Sequence, residues 1–157
     1  IIYRNYSLKK PDIKLILKIK NYCKKKGVKF YLSNNIKLAI KHNLDGAYIP
    51  AFNKDILHNA YSMKKDFELI GSAHTLKEIR EKERQNVSSI FLSPLFSSKK
   101  NSQFLEIYKF LNLKKKTLKK IVCLGGITFN NIKRTTLLNV DAIAAISLFN
   151  NKKLKYL

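Results

Sequence analysis

The sequence predicts an α/β fold built on a parallel sheet, and three observations predict it. Short apolar runs rich in Ile, Val and Leu recur without polar alternation, as strands do when helices cover both faces. The longer segments between them carry apolar residues at helical spacing and lysine-rich outer faces. Seven strands and six helical segments then alternate strictly. Such alternation means a parallel sheet, either open and doubly wound or closed into an eight-stranded barrel.

Residues 1–5 read as the first strand, ending near Arg4. Pro11 and Asp12 start a helix that carries Ile13, Leu15, Ile16, Leu17 and Ile19, with a lysine-rich outer face, and stops at Lys26-Gly27. The next strand is 28–32. Ser33-Asn34-Asn35 caps a helix running through His42, and the strand 46–49 is closed by Pro50. Residues 55–64 are predicted helical and 67–71 a strand. Gly71-Ser72-Ala73-His74-Thr75 then turns into a charged helix from Leu76 to Gln85, followed by the strand 88–92. The longest polar connection spans Ser93 to Ser102. After it, Phe104, Ile107, Tyr108 and Leu111 mark a helix from Gln103 to Leu113. Strands at 120–124 and 141–146 complete the sheet, with Ser147 opening a short terminal helix.

Within this pattern, Ile121 to Ile132 changes character twice. A four-residue apolar strand gives way to Gly125-Gly126, then to Thr128 as the expected N-cap of a helix carrying Ile132, Leu137 and Leu138. Bare glycine amides beside a helix N-terminus can cradle an anion. The same residues also suit a tight turn that holds nothing.

The chain of 157 residues, 45% hydrophobic, fits a single α/β domain over 1–157. No apolar run approaches the ~18 residues of a membrane span, and no signal-peptide pattern opens the chain, so a cytoplasmic location is expected. Cys23 and Cys123 are too few and too far apart for a disulfide framework or a zinc site and read as reduced thiols. A net charge of +22 raises nucleic acid as a partner, yet Arg4, Arg80, Arg84 and Arg134 are the four Arg among 32 basic residues. Base readout and bidentate phosphate clamps favour Arg. Scattered Lys therefore argues for a solvated surface with salt-sensitive adsorption rather than a specific nucleic-acid site. His42 and His58 read as exposed helix residues.

Five stretches resemble thiamine phosphate synthase and its relative the thiazole tautomerase, in the family's order and spacing. They are Asp45-Gly46-Ala47-Tyr48-Ile49; Gly71-Ser72-Ala73-His74-Thr75-Leu76 with Glu78; Ser93-Pro94-Leu95-Phe96; Leu124-Gly125-Gly126-Ile127-Thr128 with Asn131; and Asp141-Ala142-Ile143-Ala144 leading to Ile146-Ser147. The resemblance implies a TIM-type (β/α) barrel lacking its first βα unit in this sequence, because Ile2-Tyr3-Arg4 resembles the second strand. An upstream extension or a homodimer partner is expected to cover the gap.

The resemblance also implies a reaction: a hydroxymethylpyrimidine diphosphate joins a thiazole phosphate, releasing pyrophosphate with Mg²⁺ assistance. On that basis Arg4, Ser72 and one of Lys99 or Lys100 face the diphosphate, with the lysine pair equally readable as a solvated loop. Ser98, of the same turn, is implied as a phosphate-binding residue. Gly125, Gly126, Ile146 and Ser147 hold the thiazole phosphate. His74 either stands near the pyrimidine or fixes the turn before its helix. The departures fall on the metal: Asn34 and Asn53 occupy the positions of the family's two carboxylates, and a neutral amide brings no charge to Mg²⁺. Tyr6 replaces a family lysine, and Pro94 stands where the tautomerase histidine is expected.

Overall fold

The computed structural model describes residues 1–6, 11–97, 103–145 and 148. Its elements are β1 (Ile2–Tyr3), α1 (Ile13–Lys25), β2 (Tyr31–Ser33), α2 (Ile36–Lys41), β3 (Gly46–Ile49), a 3₁₀ turn (Leu57–Ala60), β4 (Glu68–Ala73), α3 (Leu76–Arg84), β5 (Ser89–Leu92), α4 (Glu106–Lys114), β6 (Lys120–Leu124), a 3₁₀ run (Ile132–Leu138) and β7 (Ala142–Ala144). All neighbouring strands pair in parallel, in the order β1-β2-β3-β4-β5-β6-β7. An order that never reverses rules out the doubly wound alternative and makes the sheet a partial (β/α) barrel, as expected.

Strand register divides the side chains between two faces. Leu32, Ala47, Ile49, Ile90, Leu92, Ile121 and Cys123 are buried with Ile16, Ala39, Ile79 and Phe110 of the helices, forming the layer between sheet and helices. The alternate set, including Tyr31, Tyr48, Ile70, Phe91 and Leu124, lines a cavity of about 740 Å³ on the other face. That cavity also touches Ile2 of β1 and Ala144 of β7, the two outermost strands, with their neighbours Ile1 and Ala145. Asp45 and Asp141 tie adjacent strands together: Asp45 Oδ2 accepts the Phe30 amide at 2.8 Å, and Asp141 Oδ2 accepts the Ile121 amide at 2.8 Å.

The helix ends follow local chemistry. Asp12 and Asn35 accept the amides of Leu15 and Leu38, capping α1 and α2. Thr75 and Glu78 form a full capping box at the start of α3.

Three expectations for helices need correction. Residues 55–64 contain a four-residue 3₁₀ turn instead of a helix. Here Asn53 Oδ1 takes the Asp55 amide and Asp55 Oδ1 takes the Leu57 amide, local bonds that compete with helical ones. The helix after the glycine pair is a 3₁₀ run beginning at Ile132, and Thr128 does not cap it: the Thr128 amide donates to Asn131 Oδ1 at 2.8 Å. The helix expected from Gln103 starts at Glu106. His58 is 3% exposed rather than on the surface, with Nε2 donating to the Gln85 carbonyl at 2.9 Å.

Candidate functional site

In a parallel sheet every strand delivers its C-terminal residue to the same edge, and barrel sites are built there. The described site candidates all lie at that edge. Arg4 follows β1, Asn34 follows β2, Asn53 follows β3, Ser72 and His74 come at the end of β4, and Gly125 and Gly126 follow β6. Ser98, Lys99, Lys100, Ile146 and Ser147 lie outside the described residues, as does the helix expected to open at Ser147.

The guanidinium of Arg4 sits 5.5 Å from the Tyr6 ring centre and 5.7 Å from that of Tyr48. Tyr6 is held by its hydroxyl, 2.6 Å from Ser33 Oγ, and packs edge-on against Phe52 at 5.7 Å. Tyr48 packs edge-on against Phe91 at 5.9 Å. Burial pushes the Tyr48 phenol above its ordinary value, while a hydrogen bond to Ser72 and the charge of Arg4 oppose the shift. Ser72 and Arg4 are therefore joined through Tyr48. Sequence reading missed this aromatic lining, although the period of two from Gly46 places Tyr48 on one face with Gly46.

His74 is placed by its turn. Nδ1 donates to the Ser93 carbonyl at 2.6 Å, and the His74 amide donates to Glu78 Oε2 at 2.6 Å. These bonds fix the β4–α3 and β5 connections to each other, and the ring remains at the solvent-facing edge.

At Asn34 and Asn53 the two side chains bind one another. Asn53 Nδ2 donates to Asn34 Oδ1 at 2.7 Å, and Asn53 Oδ1 accepts the Asp55 amide at 2.8 Å. Each amide oxygen thus already accepts one N–H group. Among the described residues no group of three His, Cys, Asp or Glu could hold a metal ion. Mg²⁺ needs near-octahedral oxygen ligands, at least one normally a carboxylate. The residues present do not fit it.

Gly125 and Gly126 have φ of 97° and 68°. A Cβ on Gly125 would stand 2.8 Å from Pro94 Cα, and one on Gly126 would stand 2.2 Å from the Phe96 carbonyl oxygen. The segment after β5 therefore packs backbone to backbone on the end of β6, with Leu95 N donating to Leu124 O at 2.9 Å and Phe96 N to Gly125 O at 3.1 Å. That approach alone requires glycine. The Gly125 and Gly126 amides have no backbone partner among the described residues. Arg134, which stacks 5.1 Å from the Phe96 ring, brings a cation beside this segment that sequence reading did not single out.

A second missed feature lies behind the mouth. Lys82 is 0% exposed, with Nζ donating to the Asn53 carbonyl at 2.7 Å and to Gln85 Oε1 at 2.6 Å. Burial pushes its ammonium down to about 8, with Glu78 and Glu81 opposing. Its place three residues after buried Ile79 was the available signal.

Seven parallel strands wound in one direction, with polar residues gathered at the strand C-termini, define a partial (β/α) barrel with its candidate site at the mouth. A model of the thiamine monophosphate synthase family matches residues 1–149, and the chain belongs to that family. The thiamine-phosphate synthase of Pelagibacter ubique is 30% identical over 150 residues, covering 90% of this chain and 71% of the relative. That of Clostridium acetobutylicum is 26% identical over 143 residues, covering 88% of this chain and 67% of the relative. The chain thus spans about two thirds of the length of such relatives. The thiamine phosphate pyrophosphorylase of Pyrococcus furiosus superposes with a TM-score of 0.70 at 16% identity, over 89% of this chain and 69% of that one, a likeness of fold. No helix among the described residues is long and apolar enough to cross a membrane.

Proposed function

We propose that this chain binds phosphorylated thiamine precursors at the barrel mouth and makes thiamine phosphate very slowly or not at all. Family membership supports the ligand class. The observation that carries the reading is the Asn53–Asn34 hydrogen bond, which fills the family's metal positions with two amides bonded to each other. Arg4, backed by Tyr6 and Tyr48, stands ready for the pyrimidine diphosphate. The Gly125 and Gly126 amides, without backbone partners among the described residues, suit the thiazole phosphate. Charge-assisted hydrogen bonds of about 1.5–3 kcal/mol each make a few such contacts enough for micromolar binding.

Catalysis is a separate matter. Charge developing on a departing pyrophosphate must be met by preorganised cations, and removing one such contact typically costs about 10²–10³ in rate. Here both carboxylate positions are neutral. The test is a synthase assay with both substrates and Mg²⁺, run beside the Asn34→Asp/Asn53→Asp double variant, with calorimetric titration of thiazole phosphate in parallel. Micromolar binding with negligible turnover, and turnover appearing in the double variant, is the expected outcome. Robust turnover by the unaltered chain would overturn the reading of the amide pair, and absence of binding at millimolar thiazole phosphate would overturn the ligand assignment.

A further inference from the structure

The connection from β3 to β4 departs from a regular βα repeat. A 3₁₀ turn replaces the helix, which leaves carbonyls of the connection without helical partners. Side chains of α3 and the turn after it supply the donors instead. The Asn53 carbonyl accepts Lys82 Nζ at 2.7 Å and Gln85 Nε2 at 3.0 Å, and the Asp55 carbonyl accepts the same Gln85 amide at 2.8 Å. Lys82 and Gln85 are both 0% exposed, and Lys82 Nζ also donates to Gln85 Oε1.

A fully buried ammonium is costly and is ordinarily paired with a carboxylate. Among the described residues the ion pairs are Lys29–Glu68, Arg80–Glu83 and Arg84–Glu81, and none includes Lys82. Its charge is met by a backbone carbonyl and a neutral amide, and that carbonyl belongs to Asn53. Asn53 is consequently fixed from both sides: its carbonyl by the buried ammonium, its side chain by Asn34 at 2.7 Å.

We propose that Lys82 is a positioning residue that organises the mouth without a metal. Resting on the reading that phosphorylated ligands bind there, the buried cation holds the 50–57 connection so that Asn53 meets Asn34. Pyrophosphate then binds equally well with or without divalent cations. Lys82 itself is sealed from solvent and touches no ligand.

Two measurements test this on the whole chain. The first is calorimetric titration of inorganic pyrophosphate, with Mg²⁺ or with EDTA, on the unaltered chain, Lys82→Met and Lys82→Met/Gln85→Leu. The second is amide hydrogen exchange over residues 50–57. The double variant avoids leaving Gln85 Oε1 without its buried donor, and circular dichroism establishes that each variant is folded before it is titrated. Expected are equal pyrophosphate affinities with and without Mg²⁺ in the unaltered chain, about tenfold weaker binding in both variants, and faster exchange at 50–57 while the exchange of β4 and β5 is unchanged. A merely space-filling Lys82 would leave the affinity of the folded double variant unaltered, and that result overturns the proposal. So does unchanged exchange at 50–57, or pyrophosphate affinity that requires Mg²⁺. If the unaltered chain binds no pyrophosphate, the ligand reading fails by itself, and exchange at 50–57 still decides whether Lys82 holds the connection.

Discussion

Replacing Gly126 with Ala tests whether the glycine pair is required by backbone approach, and Gly27→Ala supplies the control. Both glycines have positive φ, 63° at Gly27 and 68° at Gly126, so an added Cβ meets the same intrinsic penalty of roughly 1–2 kcal/mol at each. Their surroundings differ. Nothing lies within 4 Å of a Cβ on Gly27, whereas one on Gly126 stands 2.2 Å from the Phe96 carbonyl oxygen and 2.7 Å from that of Ser97. Contacts under 3.0 Å are not tolerated, so the 96–97 backbone must retreat by at least the difference, 0.8 Å from its 2.2 Å approach. That segment is held by Leu95 N to Leu124 O at 2.9 Å and Phe96 N to Gly125 O at 3.1 Å. Losing both bonds costs about 0.5–1.5 kcal/mol each. Gly126→Ala should therefore destabilise the chain by about 1–3 kcal/mol more than Gly27→Ala. At about 2–4 °C per kcal/mol for a chain of this size, the two variants should melt roughly 2–12 °C apart. Thermal melts followed by circular dichroism, checked by urea titration with a common slope, measure the gap. Melting within about 1 °C of each other would show that the 94–97 segment does not rest on Gly126.

Two further outcomes follow from charge and burial. Hydrogen bonds from Lys29 and then Tyr31 hold the Glu68 carboxyl below its ordinary value of 4.5. A depressed carboxylate contributes stability that is present above its unfolded value and lost as pH falls through the folded one. Glu68→Gln should thus be less stable than the unaltered chain at neutral pH and converge with it in acid; a difference that stays constant with pH would refute the assignment. Cys123 is 0% exposed, and burial pushes its thiol up to about 12, so alkylation at pH 8 should proceed only through unfolding. Site-resolved mass spectrometry of iodoacetamide-treated protein checks this, and labelling of Cys123 within minutes under native conditions would contradict it.

The strand count and the alternation of strands with helical segments were legible in the amino-acid sequence, because each depends on short-range patterns. Apolar runs mark buried strands, and capping residues such as Asp12, Asn35 and the Thr75–Glu78 pair announce helix starts within four residues. The sequence also carried the family motifs and, through that resemblance, the expectation that Asn34 and Asn53 stand where the family has carboxylates. The choice between the open doubly wound sheet and the partial barrel came from the folded chain, since strand order is a long-range property that the apolar pattern does not encode. It alone showed that the 55–64 segment forgoes its helix, because the partners that replace helical bonds, Lys82 and Gln85, lie about thirty residues away in sequence. Tertiary packing likewise put His58 in the interior against Gln85 and gave the glycine pair a neighbour in Phe96. Locally, Asn34 and Asn53 read as two substitutions; across a spacing of 19 residues they become one hydrogen-bonded pair, because the parallel sheet brings the ends of β2 and β3 side by side.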